Sequence, residues 1–373
     1  AVVCAAVWPV SGSALVDAID PMIGAVTYPE SGLRGDETIH GFGKTFPGAA
    51  TPFGMVQLSP DTITGGDNGP GYSYTHRTIE GFSFFHMSGI GWYGEFGNFQ
   101  VMPGGVRESR FSHEEEKAEA GYYRVRLPDA GAVVELTAAE RAGMIRMTYE
   151  RGGVGSFRID LARRIGELTR AKPHGRQTFR RTGSCAFEGE IVCDHRDGGW
   201  GRGAGRVNYT LHFRAEFSRP FTACGVWDKD RVLEDACDYT GTNTGFYAEF
   251  APSAEPLLLK AGLSYVDVAG ARANLAHDIP DWNFDAVRAA ARAAWADALD
   301  RVAVEGGTPR ERTIFATALY HAFIDPRAIA DVDGRYAGSD GKIYQTDAFT
   351  MRTVFSGWDV FRSAFPLYTL VHP

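Results

Sequence analysis

The residues best suited to chemistry crowd between Asp36 and Met102. This stretch holds His40-Gly-Phe-Gly-Lys-Thr-Phe-Pro-Gly-Ala49 and Thr51-Pro-Phe-Gly-Met-Val-Gln-Leu-Ser-Pro-Asp61. It continues with Asp67-Asn-Gly-Pro-Gly-Tyr-Ser-Tyr74 and Gly81-Phe-Ser-Phe-Phe-His-Met-Ser-Gly-Ile-Gly-Trp-Tyr-Gly-Glu-Phe-Gly97. In each segment glycines flank aromatic and polar side chains. Glycine lets the backbone approach a ligand or take a positive φ. Aromatic faces stack on the C–H surface of a sugar, while polar groups read its hydroxyls. The composition fits a saccharide site, and it fits equally a set of long loops laid on the edge of a sheet.

Other chemistries find little support. Gly41-Phe-Gly43 and Gly89-Ile-Gly-Trp92 match neither the dinucleotide fingerprint nor the P-loop. No G-x-S-x-G nucleophile elbow occurs. His40, His86 and His321 are scattered, and each reads as a hydrogen-bonded structural histidine. Asp331-Val-Asp-Gly-Arg-Tyr-Ala-Gly-Ser-Asp-Gly-Lys342 has the acidic start of a calcium loop but lacks the later Glu of an EF-hand, so a turn-rich hairpin is expected. In Phe355-Ser-Gly-Trp-Asp-Val-Phe-Arg362, Ser356 and Asp359 form an S-x-x-D helix cap, which gives Asp359 a structural role as one reading.

The elements that must position these segments follow from periodicity. Tyr123 to Leu127, Phe157 to Leu161 and Val207 to Phe217 alternate apolar and polar residues. Such period-two runs mark strands with one face in a core and one in water. Glycine-rich breaks at Gly152-Gly153, Gly198-Gly199 and Gly201 to Gly205 separate them, as in an antiparallel sandwich. After Asp281 the period changes. Phe284, Val287, Ala291, Trp295, Ala298 and Val302 form one helical stripe, ended by Gly306-Gly307. Thr308-Pro-Arg-Glu311 is a capping box with Pro at the first helical position. Its helix carries Ile314, Phe315, Ala318, Leu319, Ala322 and Phe323. A third helix is predicted from Ser356, with Trp358, Phe361 and Phe365.

The expected fold class is therefore α+β and multidomain: an antiparallel β-sandwich at the N-terminus, a linking helix, then the opening of a helical domain. The predicted limits are residues 18–275 for the sandwich, 276–307 for the linker helix and 308–373 for the helical part. Residues 1–17, apolar and then small, read as the remnant of a secretory signal, which places the protein in the periplasm or outside the cell. The chain stops on an apolar helical face, so an N-terminal fragment is expected.

Composition sets outer bounds. Of 373 residues, 44 % are hydrophobic and 23 % charged, enough for a packed core. A net charge of −8 argues against a nucleic-acid partner or an anionic membrane surface. No run of ~18 apolar residues predicts a membrane span. Cys185, Cys193, Cys224 and Cys237 form no C-x-x-C and no zinc spacing. They read as small buried hydrophobes, with disulfides as the alternative in an exported protein.

Taken as an ordered set, several segments resemble glycoside hydrolase family 92, the calcium-dependent inverting exo-α-mannosidases. They are Ile19-Asp-Pro-Met-Ile-Gly24, Lys44-Thr-Phe-Pro-Gly-Ala49, Thr51 to Asp61, Gly71-Tyr-Ser-Tyr74, Gly81-Phe-Ser83, His86-Met-Ser-Gly89, Asp331 to Tyr336, Asp340-Gly-Lys342 and Phe355 to Arg362. The resemblance implies a β-sandwich packed on an (α/α)6 barrel, truncated here after its first helices, with the active site between the two. It implies a Glu acid and an Asp base, roughly 6.5–9.5 Å apart so that water fits between base and sugar. It further implies Ca2+ on the mannose 2- and 3-hydroxyls, and a mannose-containing oligosaccharide or glycan as substrate. In the family the acid, the base and the calcium ligands come from later in the barrel. No catalytic residue or metal ligand is therefore assigned, and the chain alone is expected to be inactive. The substrate-facing residues carry over one by one. Asp359 corresponds to the Asp that holds the terminal mannose by its outer hydroxyls. Trp92 corresponds to the aromatic against the leaving-group sugar, and Gly69 to a backbone contact with the terminal mannose. The chain departs from the family's usual Gly-Cys-Ser-Gly-Tyr-His-Tyr at Asn68 to Tyr74, at Tyr28 to Glu37 and at Gly91 to Gly97. A non-catalytic carbohydrate-binding sandwich, or another sandwich-plus-barrel glycosidase or phosphorylase, are the competing readings.

Overall fold

Alternation along the strands builds two antiparallel sheets face to face. The computed structural model describes residues 15–26, 43–62, 70–88, 96–150, 155–165, 175–193, 209–353 and 360–372. Among them, eight strands form the first sheet, in the order Ala49–Ala50, Gln57–Asp61, Gly81–Ser83, Gln100–Pro103, Ser156–Asp160, Thr244–Glu249, Ala223–Asp228 and Arg231–Glu234. Nine form the second: Asp238–Gly241, Arg176–Arg181, Ala186–Cys193, Tyr209–Phe217, Leu257–Ser264, Ala142–Tyr149, Ala132–Ala138, Tyr122–Leu127 and Glu116–Glu119. In Tyr209–Phe217 the predicted face is buried: Leu211, Phe213, Ala215 and Phe217. Inward rings from both sheets meet between them. Phe157 stacks on Phe217 at 4.4 Å, and Phe187 meets Phe246 at 4.1 Å.

The helical part begins earlier than its periodicity suggests. Helix α1 (Val268–Asp278) starts inside the stretch expected to be sheet. Its buried face is Gly270, Ala271, Asn274 and Leu275, too small and mixed to give an apolar stripe. Small residues are needed for close approach: a Cβ on Gly262 of the sheet would sit 2.5 Å from the Ala271 carbonyl. Helix α2 (Phe284–Leu299) buries Phe284, Ala291, Trp295 and Ala298 as its stripe predicts, and ends one turn before Val302. Trp295 Nε1 donates to the Ala50 carbonyl at 2.7 Å and so keys α2 to the edge of the first sheet. Helix α3 (Pro309–Ala322) carries the predicted capping box, with Thr308 and Glu311 each bonded to the other's backbone N–H. It turns Leu319 and Tyr320 inward, while Ile314 and Phe315 stay exposed, against expectation. Helix α4 spans Ala364–Val371 and carries Phe365, while Val360 is helical and the start and cap proposed at Ser356 and Asp359 lie outside the described residues. These helices do not by themselves close a barrel.

Three further expectations can be compared. Residues 1–14 of the predicted leader lie outside the described residues, but Leu15 and Val16 are buried in the cluster around Trp295 and Tyr320. The last residues of that stretch thus belong to the folded core. The Asp331–Lys342 segment is the expected hairpin, pairing Arg335–Ala337 with Ile343–Gln345. The four described cysteines are all free. Cys193 and Cys224 are buried, whereas Cys237 is exposed and Cys185 half-exposed, so burial holds for two of them.

Asp331 ties that hairpin to α1. Ser264 Oγ and Asn274 Nδ2 each donate to its carboxylate at 2.8 Å. A Cβ on Gly270 would overlap Asp331 Oδ2 and lie 2.7 Å from Ser264 Oγ. Gly→Ala in a helix ordinarily stabilises by ~1 kcal/mol. Here Gly270→Ala is expected to lower the melting temperature instead, and a rise would contradict the close packing.

Burial raises the Asp331 pKa to about 6 and lowers that of His321 to about 4. The signs oppose. The folded state holds the Asp331 proton more tightly, so that contribution is present below the ordinary Asp value and lost as pH rises towards 6. The unfolded state takes up the His321 proton more readily, so that contribution is present above 6.5 and lost as pH falls towards 4. Wild type should therefore gain up to about 3 kcal/mol over His321→Gln between pH 4 and 7 in urea unfolding. Parallel pH profiles for the two proteins would contradict this.

Candidate active site

Gly69, Trp92 and Asp359 all lie outside the described residues, in the segments 63–69, 89–95 and 354–359. The structure does describe the base of each segment. Segment 63–69 is pinched shut where Thr62 N–H donates to the Gly71 carbonyl at 2.8 Å and Ser73 N–H donates to Thr62 Oγ1 at 2.7 Å. Segment 89–95 is closed by Gly97 N–H to the Phe85 carbonyl at 2.9 Å and by an edge-on pair of Phe85 and Phe96, 4.7 Å apart. Ser88, its last described residue on the N-terminal side, shares a hydrogen bond with Thr45 at 2.9 Å. Segment 354–359 follows Thr353, whose N–H donates to the Arg327 carbonyl at 2.9 Å.

A buried polar network lies beneath the first two bases. Leu58, Phe82 and Val101 point into the sandwich, so alternation puts Asp61, Ser83 and Gln100 on the opposite face of the first sheet. His86 comes down onto that face. Its Nδ1 lies 2.8 Å from the Gln57 carbonyl, which can only accept, so Nδ1 carries a proton. Nε2 lies 2.8 Å from Asp61 Oδ1 and 3.2 Å from Ser83 Oγ. Ser83 Oγ donates to Oδ1 at 3.1 Å and Gln100 Nε2 to Oδ2 at 2.7 Å. His86, Asp61 and Ser83 are fully buried and Gln100 nearly so. A buried ionic pair survives only with its remaining lone pairs and protons satisfied. His86 is thus the structural histidine its sequence context suggests, with a defined task. Gly71 sits against it at φ +72°, where a Cβ would lie 2.7 Å from Asp61 Oδ1 and 3.0 Å from the His86 ring. Only glycine fits at position 71 against the pair.

Arg327, between α3 and the hairpin, joins the sandwich to the helical part. It is buried, and its Nε donates to Asp325 at 3.0 Å. Its guanidinium lies over both rings at the base of segment 89–95, 4.8 Å from Phe85 and 5.2 Å from Phe96. Its carbonyl holds Thr353. One residue therefore grips the bases of the segments that carry Trp92 and Asp359. A second tie runs alongside, where Arg352 Nη1 donates to the Phe53 carbonyl at 2.9 Å. Arg327 stands in no segment singled out from the sequence, and Asp61 was quoted only as the last residue of Thr51 to Asp61, with no role of its own.

The comparisons with known proteins converge on one answer. Residues 18–264 match the glycosyl hydrolase family 92 N-terminal domain, and residues 270–373 match the glycosyl hydrolase family 92 catalytic domain. The chain belongs to glycosyl hydrolase family 92. A solved family 92 α-mannosidase from Bacteroides thetaiotaomicron is 27 % identical, with a TM-score of 0.82 over 95 % of this chain and 47 % of that one. The same enzyme has been solved in complex with mannoimidazole. A family 92 inverting mannosidase from that organism is 25 % identical, with a TM-score of 0.78 over 95 % of this chain and 46 % of that one. A protein of Arthroderma benhamiae named an uncharacterized secreted glycosidase is 24 % identical over 76 % of this chain and 40 % of its own length. The chain thus spans less than half the length of these relatives.

No group of three or more His, Cys, Asp or Glu side chains among the described residues could hold a metal ion.

The buried network is open to a direct test. Asp61→Ala leaves His86 Nε2 with only the Ser83 hydroxyl, 3.2 Å away, and strips Ser83 and Gln100 of their shared acceptor, so it should lower the unfolding free energy by about 3 kcal/mol. Ser83→Ala removes one neutral donor and should cost about 1 kcal/mol. Equal losses in denaturant unfolding would show that Asp61 and His86 do not form the core of the network.

Proposed function

We propose that this chain is the N-terminal part of a glycoside hydrolase that removes terminal α-linked mannose, with inversion, from oligosaccharides or glycans. The observation that carries the reading is that Arg327 holds Phe85, Phe96 and Thr353, which flank the stretches containing Trp92 and Asp359, in a chain whose family includes the mannosidases above. The match of residues 270–373 to the family's catalytic domain favours catalysis over a sandwich that only binds sugar.

In this reading the terminal mannose lies between loop 63–69 and segment 354–359. Asp359 accepts hydrogen bonds from its outer hydroxyls, and the backbone at Gly69 reads the opposite side. Trp92 lies against the sugar that leaves. The general acid and base come from beyond residue 373, and no step assigned to this chain involves the calcium ion. The role of the described residues is positioning: the His86–Asp61 pair and Arg327 fix the loops before substrate arrives. Bond cleavage gains from such preorganisation because the loops need not be ordered in the transition state. Secretion belongs to the same proposal, supported by the name of the fungal relative.

Asp359→Ala in the complete protein should reduce mannose release more than tenfold. A positioned hydrogen bond to a charged acceptor contributes ~1.5–3 kcal/mol, and more where it tightens in the transition state. Wild-type turnover by a folded Asp359→Ala protein would remove this residue from the site. Trp92→Ala should impair disaccharide hydrolysis more than that of an activated aryl mannoside. Equal effects would exclude a leaving-group contact.

A further inference from the structure

The outer face of the first sheet carries a second polar cavity, of about 260 Å³. It lies towards the far edge of the sheet from the His86–Asp61 pair. Its floor is built rather than incidental. Trp227 and Gly245 stand opposite each other on neighbouring strands. A Cβ at Gly245 would lie 2.5 Å from Trp227 Cη2, so glycine there lets the indole lie across the strand. The ring reaches Arg158 on the next strand, whose guanidinium rests 4.4 Å from its centroid. Among the described residues no acceptor takes a hydrogen bond from that guanidinium. It is a plate of N–H donors held flat against an aromatic ring, half-buried and unused.

Asp160 stands two residues along the same strand, on the same face. Ala162 N–H donates to its Oδ1 at 2.9 Å and orients the carboxylate. Gln100 lines the cavity between this pair and the candidate active site, since its Nε2 holds Asp61. Charge chooses the class of ligand. Arg107, Arg158 and Arg163 face Glu80, Glu108 and Asp160, three cations against three anions. Arg163 and Glu80 are already paired. An oxyanion would meet as many carboxylates as guanidiniums. A neutral ligand with adjacent hydroxyls can accept from Arg158 and donate to Asp160 at the same time. The volume is below the ~300 Å³ at which drug-sized pockets begin, so it suits one sugar ring rather than a chain.

We infer that this cavity is a second saccharide-binding site, taking a single neutral hexosyl unit through Arg158 and Asp160 with Trp227 as the backing plate. It is separate from the hydrolytic site and does not depend on the mannosidase reading. In the complete protein, it would hold a substrate branch on the sandwich while another branch is trimmed.

Trp227 supplies the reporter. The protein is labelled with 5-fluorotryptophan, and the Trp227 resonance is assigned with Trp227→Phe. Methyl α-mannopyranoside, methyl β-glucopyranoside and sodium sulfate are then titrated separately. At least one hexoside should shift the Trp227 resonance saturably, and the response should persist in Asp359→Ala. Arg158→Ala, which keeps the indole, should weaken that response about tenfold or more. Failure of both hexosides to move the resonance would overturn the inference. So would a sulfate response as strong as the sugar's, or loss of the sugar response in Asp359→Ala. Absence of mannosidase activity with the Trp227 response intact would sink the proposed reaction and leave this site standing.

Discussion

The structure depends on one buried cation. Arg327 belongs to the helical part, yet its guanidinium lies on two phenylalanines of the sandwich. A desolvated guanidinium over aromatic faces can contribute ~2 kcal/mol, and its Nε and Nη2 pair with Asp325 while Nη1 has no hydrogen-bond partner among the described residues. Its backbone meanwhile fixes the start of the Asp359 segment. The two parts are joined elsewhere as well, by Trp295 on the Ala50 carbonyl and Arg352 on that of Phe53. Arg327 differs in holding residues of both parts that flank the stretches containing Trp92 and Asp359.

The two faces of the first sheet divide the work. One face is aromatic and dry, and its rings interlock with those of the second sheet. The other is polar, and its central buried groups, Asp61, His86, Ser83 and Gln100, bond to one another. Burying Asp61, His86, Ser83 and Gln100 together makes sense only when all are satisfied, because partly satisfied polar networks are destabilising. Satisfying them requires His86 to descend from one loop and Gly71 to close from another. The network therefore holds two separate stretches of chain, around Gly71 and His86, against the same sheet face. Farther along the same face, Arg158 and Asp160 escape that requirement because they open on a cavity.

Much of the fold was legible in the residues, for identifiable reasons. Period-two runs such as Tyr209–Phe217 announced the sandwich, and Thr308 to Glu311 announced the start of a helix. Helix α1 was hidden because its packing relies on glycine and alanine, which carry no hydrophobic signal. Ile314 and Phe315 were misplaced because a helical stripe read from sequence cannot tell which flank faces the core. Composition alone suggested a saccharide site in the glycine- and aromatic-rich segments. Their anchors were not visible in it. Asp61 and His86 are 25 residues apart, and Arg327 is more than 200 residues from its rings. Contacts at such separations leave no local pattern. The resemblance to family 92 was legible because it rests on many short segments in a fixed order.

The central claim is that sandwich and helical segments grip one terminal mannose from two sides. It is tested most directly by a crystal structure of the complete protein with an uncleaved α-mannobiose analogue. The account predicts Asp359 on the hydroxyls of the terminal ring and Trp92 against the adjoining ring, in one cleft beside Arg327. A ligand bound elsewhere, or a cleft that contains only one of those two residues, would contradict it.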